Sequence, residues 1–370
     1  MRIALLANTK SPNPGNWALN EGTKNLIKKK FGNRVKFIEI SWDDITFSNS
    51  KFDERFFKLV NSCDLLWVVG AVMFNDRSEH TNGGSRFNLN TAELQRITRP
   101  LIFGGVSYRS WEPIKHNIQA LKDSVGYLNS SEDCLLGVRN DGTKNWLNEM
   151  LGEELNNLRE FPDPGFFALD QSIKLSSIKY PKGMLVSLNN EDADLRYRDD
   201  RVLKYLIDAV RNACLDFWSN FHEPIGLAPH SFEDYELLMR LADTFPKRFL
   251  HQNVYVLPLL SGKKAKKFYD FYRVPRVVIA SRVHAMSPSI GFGNKTLVLA
   301  SQVRIKEYLK ELKLTDISID ILECAFKSNI VTDKLNRLLI DKSWEKRMLK
   351  VRLTQEKITQ NFMDIVEEMI

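Results

Sequence analysis

Cysteine is scarce: four in 370 residues, at Cys63, Cys134, Cys214 and Cys324. They are far apart and form no Cys-x-x-Cys pair, which argues against a disulfide framework or a zinc site and fits reduced thiols in the cytoplasm. The chain also has no Walker Gly-Lys-Ser/Thr loop, no Gly-x-Gly-x-x-Gly fingerprint and no His-Glu-x-x-His. Phosphate-loop, dinucleotide and zinc-peptidase chemistry therefore have no local signature. No apolar run approaches the roughly 20 residues of a membrane-spanning helix. The opening Met1-Arg2-Ile3-Ala4-Leu5-Leu6-Ala7-Asn8 is too short for a secretory signal and reads as a first strand. Internal repeats and low-complexity tracts are missing too. Neither a metal nor a resident cofactor is expected.

What remains is an ordinary globular composition, 43% hydrophobic and 27% charged, with a formal net charge of +7. At this length two domains are the default. The positive balance suits an anionic partner. However, the clusters Lys28–Lys30, Lys263–Lys267 and Lys346–Arg352 read as solvated helix faces. No basic stripe interleaved with aromatics marks a nucleic-acid binder. A basic surface does suit the anionic inner face of a membrane.

The first half alternates strand and helix. Strands are expected at Ile3–Ala7, Val35–Ile40, Asp64–Gly70, Pro100–Gly105 and Leu135–Arg139. Helices are expected from Asn16, acting as a cap, through Lys30, then at Phe52–Val60, Thr91–Thr98, Trp111–Lys122 and Lys144–Leu151. The Gly-rich polar stretch Phe74–Asn88 is long enough to suggest a functional loop. Phe161-Pro162-Asp163-Pro164-Gly165 is the strongest boundary signal. A second alternation runs through Gly183–Leu188, Asp199–Asn220, Glu223–Ala228, Tyr235–Phe245, Val254–Leu257 and Gly262–Tyr272, and a helical, charged tail follows Glu323. The fold class is therefore α/β: two Rossmann-like, doubly wound parallel-sheet domains with C-terminal helices. The expected divisions are residues 1–172, a linker at 173–182, a second domain at 183–325 and tail helices at 326–370 that cross back to the first domain.

The most informative stretch is Val277-Val278-Ile279-Ala280-Ser281-Arg282-Val283-His284-Ala285. An apolar strand ends there in a cation and an imidazole, ahead of a helix whose first turn should contain Pro288. Strand C-terminal ends and helix N-termini are where open α/β sheets receive anions. Earlier, Asn13-Pro14-Gly15-Asn16 opens another helix, and Gly15 permits close backbone approach. Arg139 ends a strand, and an Arg fork there suits a carboxylate or phosphate; a salt bridge across the domain interface is the competing expectation. Ser231 caps a helix and Asp234, three residues on, suits its dipole, with the role of His230 left open. His80, His116, His222 and His251 lie in no motif.

The run Ser281-Arg282-x-His284-Ala285, with Gly291 and a second apolar strand beyond it, resembles the C-terminal signature of the polysaccharide pyruvyl transferase family. The resemblance extends over most of the chain. Asn13-Pro14-Gly15-Asn16 is similar to the family's N-terminal Asn-x-Gly-Asp, with Asn16 where Asp is usual. Gly137-Val138-Arg139-Asn140 and Asp163-Pro164 are similar to its central pattern, with Asn140 replacing an acid. Arg304 stands where Lys is common, and Gly70-Ala71 is a poorer glycine run than the family's. The resemblance implies transfer of pyruvate from phosphoenolpyruvate onto two hydroxyls of a sugar as a ketal, releasing phosphate. It also implies a cytoplasmic enzyme at the inner face of the membrane where the acceptor is lipid-linked, in a two-domain arrangement like that of GT-B glycosyltransferases.

In that scheme His284 is the acid, and Arg139 and Arg282 bind anion and stabilise the leaving group. Asn13, Gly15, Asn16, Gly70, Gly105, Ser281, Arg304 and His230 line the substrate. The guanidinium groups of both halves would converge on one crevice. A GT-B glycosyltransferase using a nucleotide-activated sugar is the alternative, and a non-catalytic anion-binding protein the third reading.

Overall fold

A computed structural model describes residues 1–42, 52–75, 82–109, 118–152, 154–155, 157–168, 182–197, 199–260 and 262–370. Nearly all of the expected linker, the start of the helix expected at Trp111, the middle of the Phe74–Asn88 loop, and His80 and His116 lie outside the described residues. The chain forms two compact units. The first holds Met1–Ser11, Leu19–Ala168 and Leu353–Ile370; the second holds Pro12–Ala18 and Leu169–Arg352. The expected first domain, 1–172, thus gives up Pro12–Ala18 and gains the end of the tail.

The first unit contains β1 (Arg2–Ala7), β2 (Lys36–Ser41), β3 (Leu65–Val69), β4 (Val72–Asn75), β5 (Leu101–Arg109), β6 (Cys134–Arg139) and β7 (Arg159–Phe161). All pairings are parallel, in the order β2-β1-β3-β5-β6-β7 with β4 on β5. Its strands read as unbroken apolar runs because both faces are covered. On β1 and β3, Ala4, Leu6, Leu66 and Val68 join one core cluster, while Ile3, Leu5, Ala7, Leu65, Trp67 and Val69 join another. The strand period of two sends alternate residues to opposite faces. Phe362, Met363 and Val366, near the end of the helix Trp344–Glu368, complete the second cluster. Phe362 packs edge-on against Trp67 and Phe161.

The second unit contains β8 (Met184–Ser187), β9 (Ile225–Leu227), β10 (Val254–Val256), β11 (Val277–Ala280), β12 (Lys295–Ala300) and β13 (Ser318–Asp320), again all parallel, in the order β10-β9-β8-β11-β12-β13. The chain runs outward from β8 to β10, then returns to lay β11 on the other side of β8. The β8/β11 boundary is therefore the topological switch point, where the loops leaving adjacent strands diverge and leave room for a ligand.

Several expected elements shift for local reasons. Asn16 is not the cap: the helix Pro14–Phe31 starts earlier, and Asn13 Oδ1 accepts from the Gly15 amide at 2.8 Å. The helix at Thr91 opens on a capping box between Asn90 and Glu93 and already ends at Leu94. Pro288 lies well inside the helix Val283–Gly291 rather than in its first turn. Strands β4, β7 and β13 are too short to show a period. The Pro-Asp-Pro-Gly segment is no exposed boundary loop, since Pro164, Gly165 and Phe166 are buried in a 3-10 turn.

Gly22 explains that burial. A Cβ built on Gly22 would stand 1.7 Å from the Pro164 carbonyl oxygen, so only glycine lets the helix and this turn meet. Gly22→Ala is expected to cost about 3 kcal/mol, because the obstacle is backbone that cannot rotate away. Thermal unfolding checks this; an unchanged midpoint would show that the turn yields.

Candidate functional site

Three neighbouring strands, β9, β8 and β11, deliver their C-terminal loops to one edge of the second sheet. The loop after β11 carries Ser281, Arg282 and His284. From Val277 to Gly291 every residue is buried except His284, which keeps partial exposure. Arg282 is the N-cap of the helix Val283–Gly291, so His284 stands in that helix's first turn, where the dipole favours negative charge.

Arg282 is spent on carboxylates. Its Nε meets Asp234 Oδ2 at 2.5 Å, its Nη2 meets Asp234 Oδ1 at 3.0 Å, and its Nη1 meets Glu191 Oε2 at 3.2 Å. Burial pulls its pKa down, but Asp234 and then Glu191 outweigh this and leave it above its ordinary value. Asp234 is fully buried and also accepts the backbone amides of Asn190 and His230. The view of Asp234 as a helix-dipole residue is thereby corrected. Its amide does receive the Ser231 cap, but its carboxylate is the clamp on Arg282. Ser281 Oγ accepts the Asn189 amide at 2.7 Å, fixing the loop after β8 to the loop after β11.

His230 belongs to the interior. It is 0% exposed, hydrogen-bonded through Nε2 to the Tyr272 hydroxyl at 2.8 Å, and boxed edge-on by Phe268, Tyr269 and Tyr272. Its placement in the substrate lining is thus corrected: no part of it meets solvent. Burial, then Arg282 and His284, hold its pKa well below the usual 6.5. The folded state keeps it neutral while the unfolded chain protonates it, so the fold's full stability is present above about pH 6.5 and is lost as pH falls below it. The expected loss is about 1.4 kcal/mol per pH unit in wild type and is absent from His230→Gln. Urea unfolding on both sides of that pH measures the difference, and parallel slopes would refute it.

The segment Pro12–Ala18 completes the surroundings of His284. A Cβ on Gly15 would stand 2.5 Å from His284 Nδ1 and 2.7 Å from its Cβ, so backbone lies directly against the imidazole. Asn16 N donates to Asn13 O at 3.1 Å, which tightens the turn holding Gly15. Trp17 stacks on Tyr269 with ring centroids 5.7 Å apart, and the Tyr269 hydroxyl donates to the His284 carbonyl at 2.8 Å. Asn13, Gly15, Ser281, Arg282 and His284 are thus gathered in one unit. Arg304, in the helix Val303–Glu311, turns its Nε to Gln302 Oε1 at 2.9 Å.

Arg139, Gly70 and Gly105 belong to the first unit. Arg139 is 1% exposed, with Nε 3.0 Å from Asp163 Oδ2. This is a structural ion pair, but within the first unit rather than across a domain interface. Beside it Asp141 accepts from Ser107 Oγ and Thr143 Oγ1, each at 2.5 Å. Asn140 Nδ2 donates to Gln355 Oε1 at 3.1 Å. Gly70 and Gly105 serve strand packing: a Cβ on Gly70 would stand 2.4 Å from the Gly105 oxygen, and Gly105 has φ +77°.

Among the described residues no group of His, Cys, Asp and Glu could hold a metal ion, and no helix is long and apolar enough to cross a membrane. Burial pushes the Cys214 thiol up to about 12, so it is inert as a nucleophile. Sequence patterns missed Glu191 and Tyr269, which reach the site from elsewhere in the chain. For Tyr269 the one legible signal was Pro288, whose missing N–H leaves a carbonyl in need of a donor.

Solved structures similar to this chain carry the same two-domain fold. The UDP-GlcNAc 2-epimerase of Methanocaldococcus jannaschii, solved with UDP-GlcNAc and UDP, matches at 10% identity and TM-score 0.54 over 96% of this chain and 100% of its own. The UDP-GlcNAc 2-epimerase of Neisseria meningitidis, bound to UDP-GlcNAc, matches at 9% and 0.57 over 100% of both chains. A glycosyltransferase of Rickettsia africae matches at 9% and 0.55 over 100% of this chain and 98% of its own. These likenesses establish a fold of the GT-B type. No curated protein matches by sequence. The sequence model of the polysaccharide pyruvyl transferase family, in contrast, matches residues 13–302, from the Gly15 turn to just past β12. With the Ser-Arg-x-His edge built as described, the chain belongs to the polysaccharide pyruvyl transferase family.

Proposed function

We propose that the protein transfers pyruvate from phosphoenolpyruvate onto two hydroxyls of one sugar residue of a glycan, forming a ketal and releasing phosphate. One observation carries this reading: His284 is the one partly exposed group in a buried strand-to-helix stretch at the switch point of its sheet. Imidazole suits proton transfer near neutral pH. His284 protonates the methylene carbon of the donor, leaving an oxocarbenium-like centre on the neighbouring carbon. One hydroxyl adds there, phosphate departs with its bridging oxygen, and the second hydroxyl closes the ketal. Of the two hydroxyl protons, one replaces the proton given to the methylene and the other leaves with phosphate. The helix N-terminus at Val283 supplies a field for the donor's anionic groups. Arg282, clamped by Asp234 and Glu191, holds that helix start in place.

Incubation of the protein with phosphoenolpyruvate and candidate glycans, followed by mass spectrometry, tests the proposal. Ketal formation with stoichiometric phosphate is the expected result. Thermal protection by a nucleotide-sugar with none by phosphoenolpyruvate would instead indicate glycosyl transfer. Peripheral attachment to an anionic membrane and a lipid-linked acceptor extend the same proposal.

A further inference from the structure

An α-helical carbonyl is normally met by the amide four residues on. For His284 that residue is Pro288, which has no N–H and whose ring crowds the same carbonyl. The Tyr269 hydroxyl occupies the vacant donor place, 2.8 Å from the His284 oxygen. Tyr269 is 0% exposed. Its ring is held by Phe268 on its own helix, Ala265–Phe271, by Tyr272 at that helix's C-cap, and by His230. On its remaining flank it stacks on Trp17, two residues from the Gly15 backbone that abuts the imidazole.

We infer that Tyr269 is the positioning residue of His284: its hydroxyl replaces the missing Pro288 amide on the His284 carbonyl, and its ring, through Trp17, holds Gly15 against the imidazole. The inference rests on the proposed reading in which His284 is the acid. A chain with an ordinary residue at 288 would satisfy its helix internally and could let the first turn move freely. Here a proline hands that carbonyl to a distant helix, so the turn carrying the imidazole is tied to the same residue that holds the wall beside it. Tyr269 touches no reacting atom in this scheme.

Tyr269→Phe keeps the ring and removes the hydroxyl. Its kcat is expected to fall about 10–100-fold, the usual cost of losing a group that orients a reactive one, with KM for phosphoenolpyruvate unchanged. The Tyr269→Phe/Pro288→Ala double variant regains an amide for the carbonyl and should recover most of that loss, a rescue that a merely structural tyrosine would not show. NMR of histidine-labelled protein gives a readout independent of turnover, in which the His284 imidazole signals shift in Tyr269→Phe and return in the double variant. Unchanged kcat and unchanged signals in Tyr269→Phe, or no rescue by Pro288→Ala, would overturn the inference. If Tyr269→Phe does not fold, the double variant is compared with Pro288→Ala alone. The two should then be alike, and a tenfold or larger gap would refute the role. Full turnover by His284→Gln together with shifted signals in Tyr269→Phe would refute the acid assignment while leaving the positioning intact.

Discussion

His284→Gln is expected to lower kcat by about 10²–10⁴ while leaving the protein folded, because general acid catalysis typically contributes that much. Glutamine is close in size, can still hydrogen-bond, and cannot give up a proton near neutral pH. His284 is the one partly exposed side chain between Val277 and Gly291, so the substitution disturbs little packing. The carbonyl that binds Tyr269 is backbone and survives the change. Phosphate release measured at saturating phosphoenolpyruvate isolates the chemical step from binding. A rate within threefold of wild type would remove His284 from the mechanism, and with it the proposed assignment of the site.

Asp234→Asn is expected to be the most destabilising substitution in the second unit. Arg282 is 7% exposed and Asp234 is 0% exposed, and the two meet through both ends of the carboxylate. Removing one member of such a pair strands the other charge in low dielectric, which costs about 3–5 kcal/mol. For a unit of this size that corresponds to roughly 6–20 °C in the unfolding midpoint. Glu191 still faces Nη1, but it is 42% exposed and its contribution is screened. The carboxylate's bonds to the Asn190 and His230 amides weaken too, so three loops loosen together. Replacing both partners, as in Asp234→Leu/Arg282→Met, should restore much of the stability, since no charge is then stranded. It should not restore activity, because the hydrogen-bonded clamp on the helix start that carries His284 is gone. A shift below 2 °C for Asp234→Asn would show that the pair does not hold the edge together.

Both variants act within a few residues of one another, yet they report different things. The first removes a proton donor from an intact scaffold, and the second removes the scaffold's electrostatic closure. Measuring Tm and kcat for each separates chemistry from support.

The architecture was legible because parallel strands covered on both faces must be apolar throughout, and Val277–Ala280 and Leu65–Val69 are. The helix capped by Asp199 and the strand-end position of His284 followed from the same local rules. The family was legible too, since Ser281-Arg282-x-His284 is contiguous. Strands β7 (Arg-Glu-Phe) and β13 (Ser-Ile-Asp) were not, because three residues of mixed polarity form neither an apolar run nor a period.

The sequence by itself determined the α/β alternation and the strand-to-helix edge carrying Arg282 and His284. These depend on interactions within a few residues, where spacing and residue type suffice. Only the tertiary structure decided that Arg282 is clamped by Asp234 and Glu191, that His230 is interior, and that Arg139 pairs with Asp163. It alone assigned Pro12–Ala18 to the unit that carries His284. Which carboxylate reaches a given guanidinium depends on how distant strands are ordered in a sheet, and strand order is set by packing the whole chain at once.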